Sequence, residues 1–112
     1  MNALAPLPFV IPAYSVSKAA AFSSTQSLRA RVARQGVSVH AVLPGPVDTD
    51  MIRGFDIPKA SPESVAMAIF VAVDNGEEEI FPDPASAPMA ALWCDSAAKV
   101  LERQLAQVAP VS

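Results

Sequence analysis

Two short apolar segments, each following a helical stretch, limit the folds open to this sequence of 112 residues. Residues 37–43 are rich in β-branched side chains and end at a Pro-Gly pair, as a short buried strand does. Residues 77–82 are a candidate edge strand. The order helix, strand, helix, strand, helix predicts an α/β unit with parallel strands. Because parallel sheets are covered on both faces, two strands alone predict part of a larger layered fold.

Good helix formers, without proline or glycine, predict a first helix over residues 14–35 that ends at Gly36. A second helix is expected after Ser61, which would cap it, with Pro62 at the first helical position. A last helix is expected over residues 89–108. The loop between the first strand and the second helix is rich in proline and glycine, which break regular structure.

Composition narrows the functional classes. The net charge is −3, from 8 basic and 11 acidic residues, and no basic patch of the kind that binds nucleic acid is present. No apolar run approaches the roughly 18 residues of a membrane span, and the apolar N-terminus is broken by prolines and lacks the positive charge of a signal peptide. With a single cysteine, these features predict a cytoplasmic protein without nucleic-acid or membrane partners.

A hydrophobic fraction of 52% is high for a small domain. A chain of this size buries a smaller share of its surface than a larger one. The excess therefore predicts surfaces that a partner subunit, or a further part of the same domain, would cover.

Tyr14 and Lys18 lie four residues apart on the first predicted helix and therefore on one face of it. A lysine ammonium near a phenol favours the phenolate form. Such a tyrosine can exchange a proton with an alcohol or carbonyl oxygen, which suits hydride-transfer chemistry. The spacing alone is also common on ordinary helices, where it places a half-buried tyrosine beside a solvated lysine.

A longer pattern surrounds this pair. The segment YSVSKAA at residues 14–20 resembles the active-site segment of the short-chain dehydrogenase/reductase family at every position. A helix and a strand follow, and then PGPVDTDM at residues 44–51 resembles the second cofactor-contacting loop of that family. The two motifs stand in the family's order and at its separation, and the resemblance covers about residues 8–85.

The resemblance implies an α/β fold that forms the C-terminal part of a Rossmann-like doubly wound parallel sheet. Residues 1–112 would be a partial domain containing the active-site helix, the following strand, the Pro-Gly loop and the C-terminal helices. The implied activity is the NAD(P)-dependent interconversion of an alcohol and a carbonyl. Tyr14 would be the general acid/base, and Lys18 would assist it and hydrogen-bond the nicotinamide ribose.

The resemblance also implies a set of cofactor contacts. Besides Lys18, Pro44 and Gly45 would line the nicotinamide side of the cofactor, Val47 would offer backbone contacts to the carboxamide, and Thr49 would lie near the diphosphate or the carboxamide. The cofactor would be NAD(P)(H), with NADP(H) expected, and no metal is expected. Pro44 and Gly45 are also compatible with an ordinary strand-ending turn, and Thr49 with the cap of a short helical turn.

Two family features are missing from the sequence. The four glycines do not form the family's glycine-rich turn, which lets the backbone approach the cofactor pyrophosphate. The catalytic serine would fall at or before Met1. We therefore expect a truncated chain, either from an internal methionine of a longer reading frame or from a decayed gene, and its activity as an enzyme stays open.

Three hypotheses remain at this point. The first is an oxidoreductase that acts on a small alcohol or carbonyl substrate. The second is a catalytically inactive remnant that serves as an oligomerisation or interaction module, with the active-site helix forming a homo-oligomer interface. The third, an unrelated small α/β binding protein, would require both motifs to arise by chance.

Overall fold

A computed structural model describes residues 3–5, 12–45 and 59–108. The chain divides into two compact units, one built on His40–Ala90 and the other on Asn2–Val39 together with Ala91–Ser112. The fold is α/β, as predicted. That residues 1–112 form one partial domain stays a prediction.

The first unit contains a two-stranded parallel sheet. Strand β1 (Ala41–Val42) pairs with strand β2 (Glu79–Ile80), with Ala41 opposite Glu79 and Val42 opposite Ile80. The Ala41 amide donates to the Glu78 carbonyl at 2.8 Å, and the Leu43 amide donates to the Ile80 carbonyl at 2.8 Å. The parallel arrangement confirms the prediction, but β1 is shorter than the expected residues 37–43 because β2 offers so short a pairing partner.

Between the two strands runs helix α2 (Pro62–Asp74). The Ser61 hydroxyl accepts a hydrogen bond from the Ser64 amide at 3.1 Å, and Pro62 occupies the first turn, so the predicted helix start is confirmed. The core of this unit is built from one side of α2 and from the two strand segments. Its buried apolar residues are Ala41, Leu43, Val65, Ala72, Ile80 and Phe81.

The opposite side of α2 is apolar but exposed. Phe70 is 72% exposed, and Met67 and Val71, three and one positions away, are also exposed. Residues at this spacing share one face of a helix. The excess of apolar residues in the composition therefore lies partly on the surface of this chain.

The second unit contains helix α1 (Pro12–Val32), which a single 3₁₀ turn, Ala33–Gln35, prolongs. Gly36 has a φ of 73°, a left-handed conformation that suits glycine and ends the helix as predicted. The helix begins two residues earlier than expected because proline fits the first helical turn. On its buried side, Phe22 packs against Trp93, with ring centroids 5.5 Å apart.

The expected last helix is in fact two helices, α3 (Met89–Cys94) and α4 (Ala97–Leu105). The prediction of one continuous helix was wrong because Ser96 caps both. Its hydroxyl donates to the Trp93 carbonyl at 2.6 Å and accepts from the Lys99 amide at 3.1 Å. Serine competes for backbone hydrogen bonds in this way and so favours helix starts over helix interiors. Cys94 is exposed.

A cluster of charged side chains joins α4 to α1. The Glu102 carboxylate accepts hydrogen bonds from Lys99 Nζ at 2.9 Å, from Arg29 Nη1 at 3.2 Å and from Gln26 Nε2 at 2.6 Å. Arg29 Nε also donates to the Val39 carbonyl at 3.0 Å. The cluster therefore ties α1 both to the C-terminal helix and to the segment that leads into β1.

Partial burial of Glu102 opposes its charged form, but the hydrogen bonds from Lys99 and Gln26 and the charges of Lys99 and Arg29 outweigh burial. The pKa of Glu102 is therefore lowered from its usual 4.5. A carboxylate whose pKa is lowered on folding stabilises the fold at pH values above that usual value. This contribution is lost as the pH falls through the lowered pKa.

We predict that Glu102→Gln lowers the free energy of unfolding at pH 7 by about 1–3 kcal/mol, because Lys99, only 2% exposed, loses a charged hydrogen-bond partner. Denaturant unfolding at pH 7 and at acid pH measures this effect. The difference from the wild type should shrink below pH 4.5. Glu77→Gln, at an exposed glutamate, is the matched control, and an equal loss in both variants would contradict the role of the cluster.

None of the helices at residues 12–32, 62–74, 89–94 and 97–105 is long and apolar enough to cross a membrane.

Candidate active site

The predicted catalytic pair lies on α1. Tyr14 is half-buried in the first turn of the helix, and Lys18 is exposed one turn later. Lys18 Nζ lies 5.3 Å from the centroid of the Tyr14 ring, within the range in which an ammonium is attracted to an aromatic face. The structure thus brings together the two residues that the spacing predicted to share a face.

The start of α1 adds to the positive electrostatic environment of Tyr14. The amides of a first helical turn lack partners within the helix and form the positive end of its dipole. No acidic residue occupies the first turn of α1. Both the helix end and the Lys18 ammonium therefore favour negative charge near this tyrosine.

The Pro-Gly loop begins where β1 ends. The Gly45 amide donates a hydrogen bond to Asp83 Oδ2 at 2.7 Å. A Cβ atom at position 45 would lie 2.8 Å from Asp83 Oδ1 and 3.0 Å from the Ala85 Cβ. The loop needs glycine here because the backbone passes too close to these two side chains for any larger residue.

Asp83 was missed by sequence reasoning. In the sequence, Asp83 directly precedes a proline and follows a predicted strand. This pattern predicts only the start of a turn. Nothing in the sequence pairs position 83 with position 45, since that contact depends on the register of two strands separated by a helix.

The other expected site residues are placed as follows. Val47 and Thr49 lie outside the described residues. The family resemblance also implies a substrate-covering loop over residues 52–60, most of which lies outside the described residues as well. His40 lies just before β1 and places Nδ1 2.5 Å from the Glu77 carbonyl oxygen. This contact joins the segments that lead into the two strands.

Comparison with known proteins identifies the family. A model of the family described as short chain dehydrogenase matches residues 1–58. The chain belongs to this family. The uncharacterized oxidoreductase YjdA of Bacillus subtilis is 40% identical over 85 residues, which cover 66% of this chain and 34% of YjdA. The uncharacterized oxidoreductase SERP2049 of Staphylococcus epidermidis is 40% identical over 63 residues, which cover 54% of this chain and 27% of that protein.

A solved structure agrees with the short-chain dehydrogenase assignment. The crystal structure of a short chain dehydrogenase from Burkholderia cenocepacia in complex with NADP superimposes with a TM-score of 0.73 at 32% sequence identity. The match covers 93% of this chain and 44% of that one. The expected Rossmann-like α/β fold is thereby confirmed. The chain spans about a third of the length of YjdA and under half of the crystallised dehydrogenase.

We predict that Gly45→Ala lowers the free energy of unfolding by about 1–3 kcal/mol because the added methyl overlaps Asp83 and Ala85. In a double-mutant cycle measured by denaturant unfolding, Asp83→Ala should relieve part of that loss. The comparison variant is Gly36→Ala, where nothing lies within 4 Å of an added Cβ and only the φ of 73° opposes alanine, at about 1–2 kcal/mol. The loss of unfolding free energy in Gly36→Ala should be the same whether residue 83 is aspartate or alanine. If Asp83→Ala changed the losses in Gly45→Ala and Gly36→Ala equally, the packing argument would be contradicted.

Proposed function

We propose that this short-chain dehydrogenase chain carries the catalytic part of an oxidoreductase that interconverts an alcohol and a carbonyl with NAD(P)(H). The observation that carries the proposal is the Tyr14–Lys18 pair, with Lys18 Nζ 5.3 Å from the ring centroid at the positive end of α1. Tyr14 is the general acid/base, and Lys18 keeps its surroundings positive. The substrate is a small molecule whose reacting oxygen meets the Tyr14 hydroxyl.

The chemistry of individual residues, each taken in its own unit, supports a nicotinamide cofactor. Lys18 is exposed and can donate a hydrogen bond to a ribose hydroxyl. At Gly45 the absence of a side chain lets the backbone lie against Asp83 and Ala85, and its carbonyl and that of Pro44 are backbone groups that a nicotinamide could contact. Pro44 and Gly45, with Val47 and Thr49 from the sequence pattern, would hold that end.

The reaction balances with one proton and one hydride. In the oxidising direction, the Tyr14 phenolate takes the hydroxyl proton of the alcohol while the carbon–oxygen bond becomes a carbonyl. In the reducing direction, the Tyr14 hydroxyl gives its proton to the new alkoxide. The nicotinamide cofactor, when bound, accepts or supplies the hydride.

NADP(H) is the preferred cofactor in this proposal. The support is the crystallised dehydrogenase in complex with NADP, which is 32% identical to this chain. The phosphate-binding end is a separate matter, because the glycines of this chain do not form a glycine-rich turn. We also place the protein in the cytoplasm, since its one cysteine, Cys94, is free and exposed, as suits a reducing compartment.

The alternative function, an inactive remnant that acts as an oligomerisation module, is favoured by a different observation. Val16 and Leu28 on α1 are exposed apolar residues, as are several on α2. A homo-oligomer through α1 would cover the first two. Sedimentation of the chain would show such an assembly whether or not a cofactor binds.

We predict that the chain binds NADPH saturably and reduces a carbonyl substrate, and that Tyr14→Phe lowers kcat about 100- to 10,000-fold. Phenylalanine keeps the ring against Lys18 but has no proton to exchange, so the Kd for NADPH should change little. Cofactor fluorescence measures the Kd, and NADPH absorbance measures turnover over a panel of aldehydes and ketones.

The matched control is Ser24→Ala, which removes an exposed hydroxyl from the same helix and should leave both values near those of the wild type. Full activity in Tyr14→Phe would overturn the role of Tyr14. Absence of NADPH and NADH binding at millimolar concentration, together with a stable oligomer, would favour the inactive remnant instead.

A further inference from the structure

A buried carboxylate lies directly behind the Pro-Gly loop. Asp83 is 4% exposed, and its two carboxylate oxygens accept hydrogen bonds from two separate backbone amides. Oδ2 accepts from Gly45 at 2.7 Å, and Oδ1 accepts from Ser86 at 2.9 Å. One side chain therefore links the loop after β1 to the turn after β2.

The turn that contains Asp83 holds this carboxylate in place. Pro84 follows at the position where proline presets the backbone of a turn, and aspartate is favoured just before it. The Asp83 carbonyl accepts from the Ala87 amide at 2.8 Å, and Ser86 is fully buried, at 0% exposure. The turn of Asp83 therefore holds one of its carboxylate oxygens, through the Ser86 amide, and leaves the other for Gly45.

The contact with Gly45 is close on both polar and steric grounds. Hydrogen bonds to an ionised acceptor are shorter and stronger than neutral ones, and 2.7 Å is at the short end for an amide donor. The space beside Gly45 is too small for a Cβ. Movement of the loop backbone towards Asp83 is blocked by steric contact. Rotation of the Gly45 amide away from Asp83 would break the hydrogen bond.

We propose that Asp83 is a positioning residue for the cofactor loop: by holding the Gly45 amide, it fixes the path of the Pro44-Gly45 backbone that lines the nicotinamide. The expected effect on cofactor binding rests on the proposed function. The hydrogen bond between Asp83 and Gly45 does not depend on that function. Asp83 acts through the backbone and does not touch the reacting atoms.

The test compares Asp83→Asn with the wild type in two measurements. Asparagine keeps the size of the side chain but offers one uncharged oxygen to the two backbone amides. The bond to Gly45 is therefore either lost or weakened by the loss of charge, whichever way the amide is oriented. We expect hydrogen exchange of the Gly45 amide, followed by NMR, to be about tenfold faster, and the Kd for NADPH to rise about tenfold, with kcat at saturating cofactor falling less. A general loss of folding would lower kcat as well, because less of the protein would be active. A rise in the Kd with little change in kcat therefore indicates a change at the cofactor loop.

Two further variants sharpen the test. Asp83→Ser keeps a short acceptor for the Ser86 amide but is too short to reach Gly45, so it should reproduce the Asp83→Asn result and replaces it if that variant does not fold. Ser86→Ala removes a buried hydroxyl of the same turn, whose oxygen lies 3.4 Å from the Asp83 carbonyl, and should leave the exchange of Gly45 near the wild-type rate.

The outcomes separate this inference from the proposed function. If the wild type binds no cofactor, the proposed function fails, and Gly45 exchange alone still decides whether Asp83 holds the loop. Unchanged Gly45 exchange in both Asp83 variants overturns the inference. Faster exchange with an unchanged NADPH Kd, in a wild type that binds NADPH, also overturns it, because the loop would then be held without any effect on the cofactor.

Discussion

The register between β1 and β2 is the constraint on which the Pro-Gly loop depends. Val42 stands opposite Ile80 in a parallel pair, and three residues beyond each lie Gly45 and Asp83. Because parallel strands end at the same edge of a sheet, equal distances beyond a register pair bring the two loops level. The hydrogen bond at 2.7 Å between Gly45 and Asp83 is the result. A shift of one residue in this register would separate the amide from its acceptor.

That edge of the sheet is where α/β folds place their ligands. In open parallel sheets, ligands lie outside the carboxyl ends of the strands, and loops there are free of the pairing that holds the strands. Freedom of this kind lets a loop approach a ligand but costs precision. The last hydrogen bond between the strands is donated by Leu43. Two residues later, the hydrogen bond from the Gly45 amide to Asp83 fixes the loop backbone in its place. Packing within the protein therefore requires glycine at this position.

Local features of this chain were predictable from sequence, and long-range ones were not. The Ser61 cap, the stop at Gly36 and the shared face of Tyr14 and Lys18 each depend on residues within a few positions of one another, where spacing and propensity decide the geometry. The partner of Gly45 is 38 positions away, and only the strand register determines it.

The break between α3 and α4 is a local feature that the sequence did not predict. The composition of residues 89–108 favours helix throughout, and no proline or glycine interrupts it. Ser96 divides the stretch because its hydroxyl serves both the end of one helix and the start of the next. Serine in a helical stretch can face solvent or cap a new start, and packing decides between these. Here the break orients α4 so that Glu102 reaches Arg29 and Gln26 on α1.

The charged cluster and the proposed catalytic pair then contact opposite ends of one helix. Glu102, Lys99 and Arg29 hold the C-terminal half of α1, whereas Tyr14 and Lys18 occupy its first turns. A helix transmits position along its length because each turn is hydrogen-bonded to the next. The place of Tyr14 is thus set partly by contacts far from it, and loss of the Glu102 cluster would loosen the helix that carries the tyrosine. On this reasoning, the stability that Glu102 contributes and the position of Tyr14 are coupled through the hydrogen-bonded length of α1.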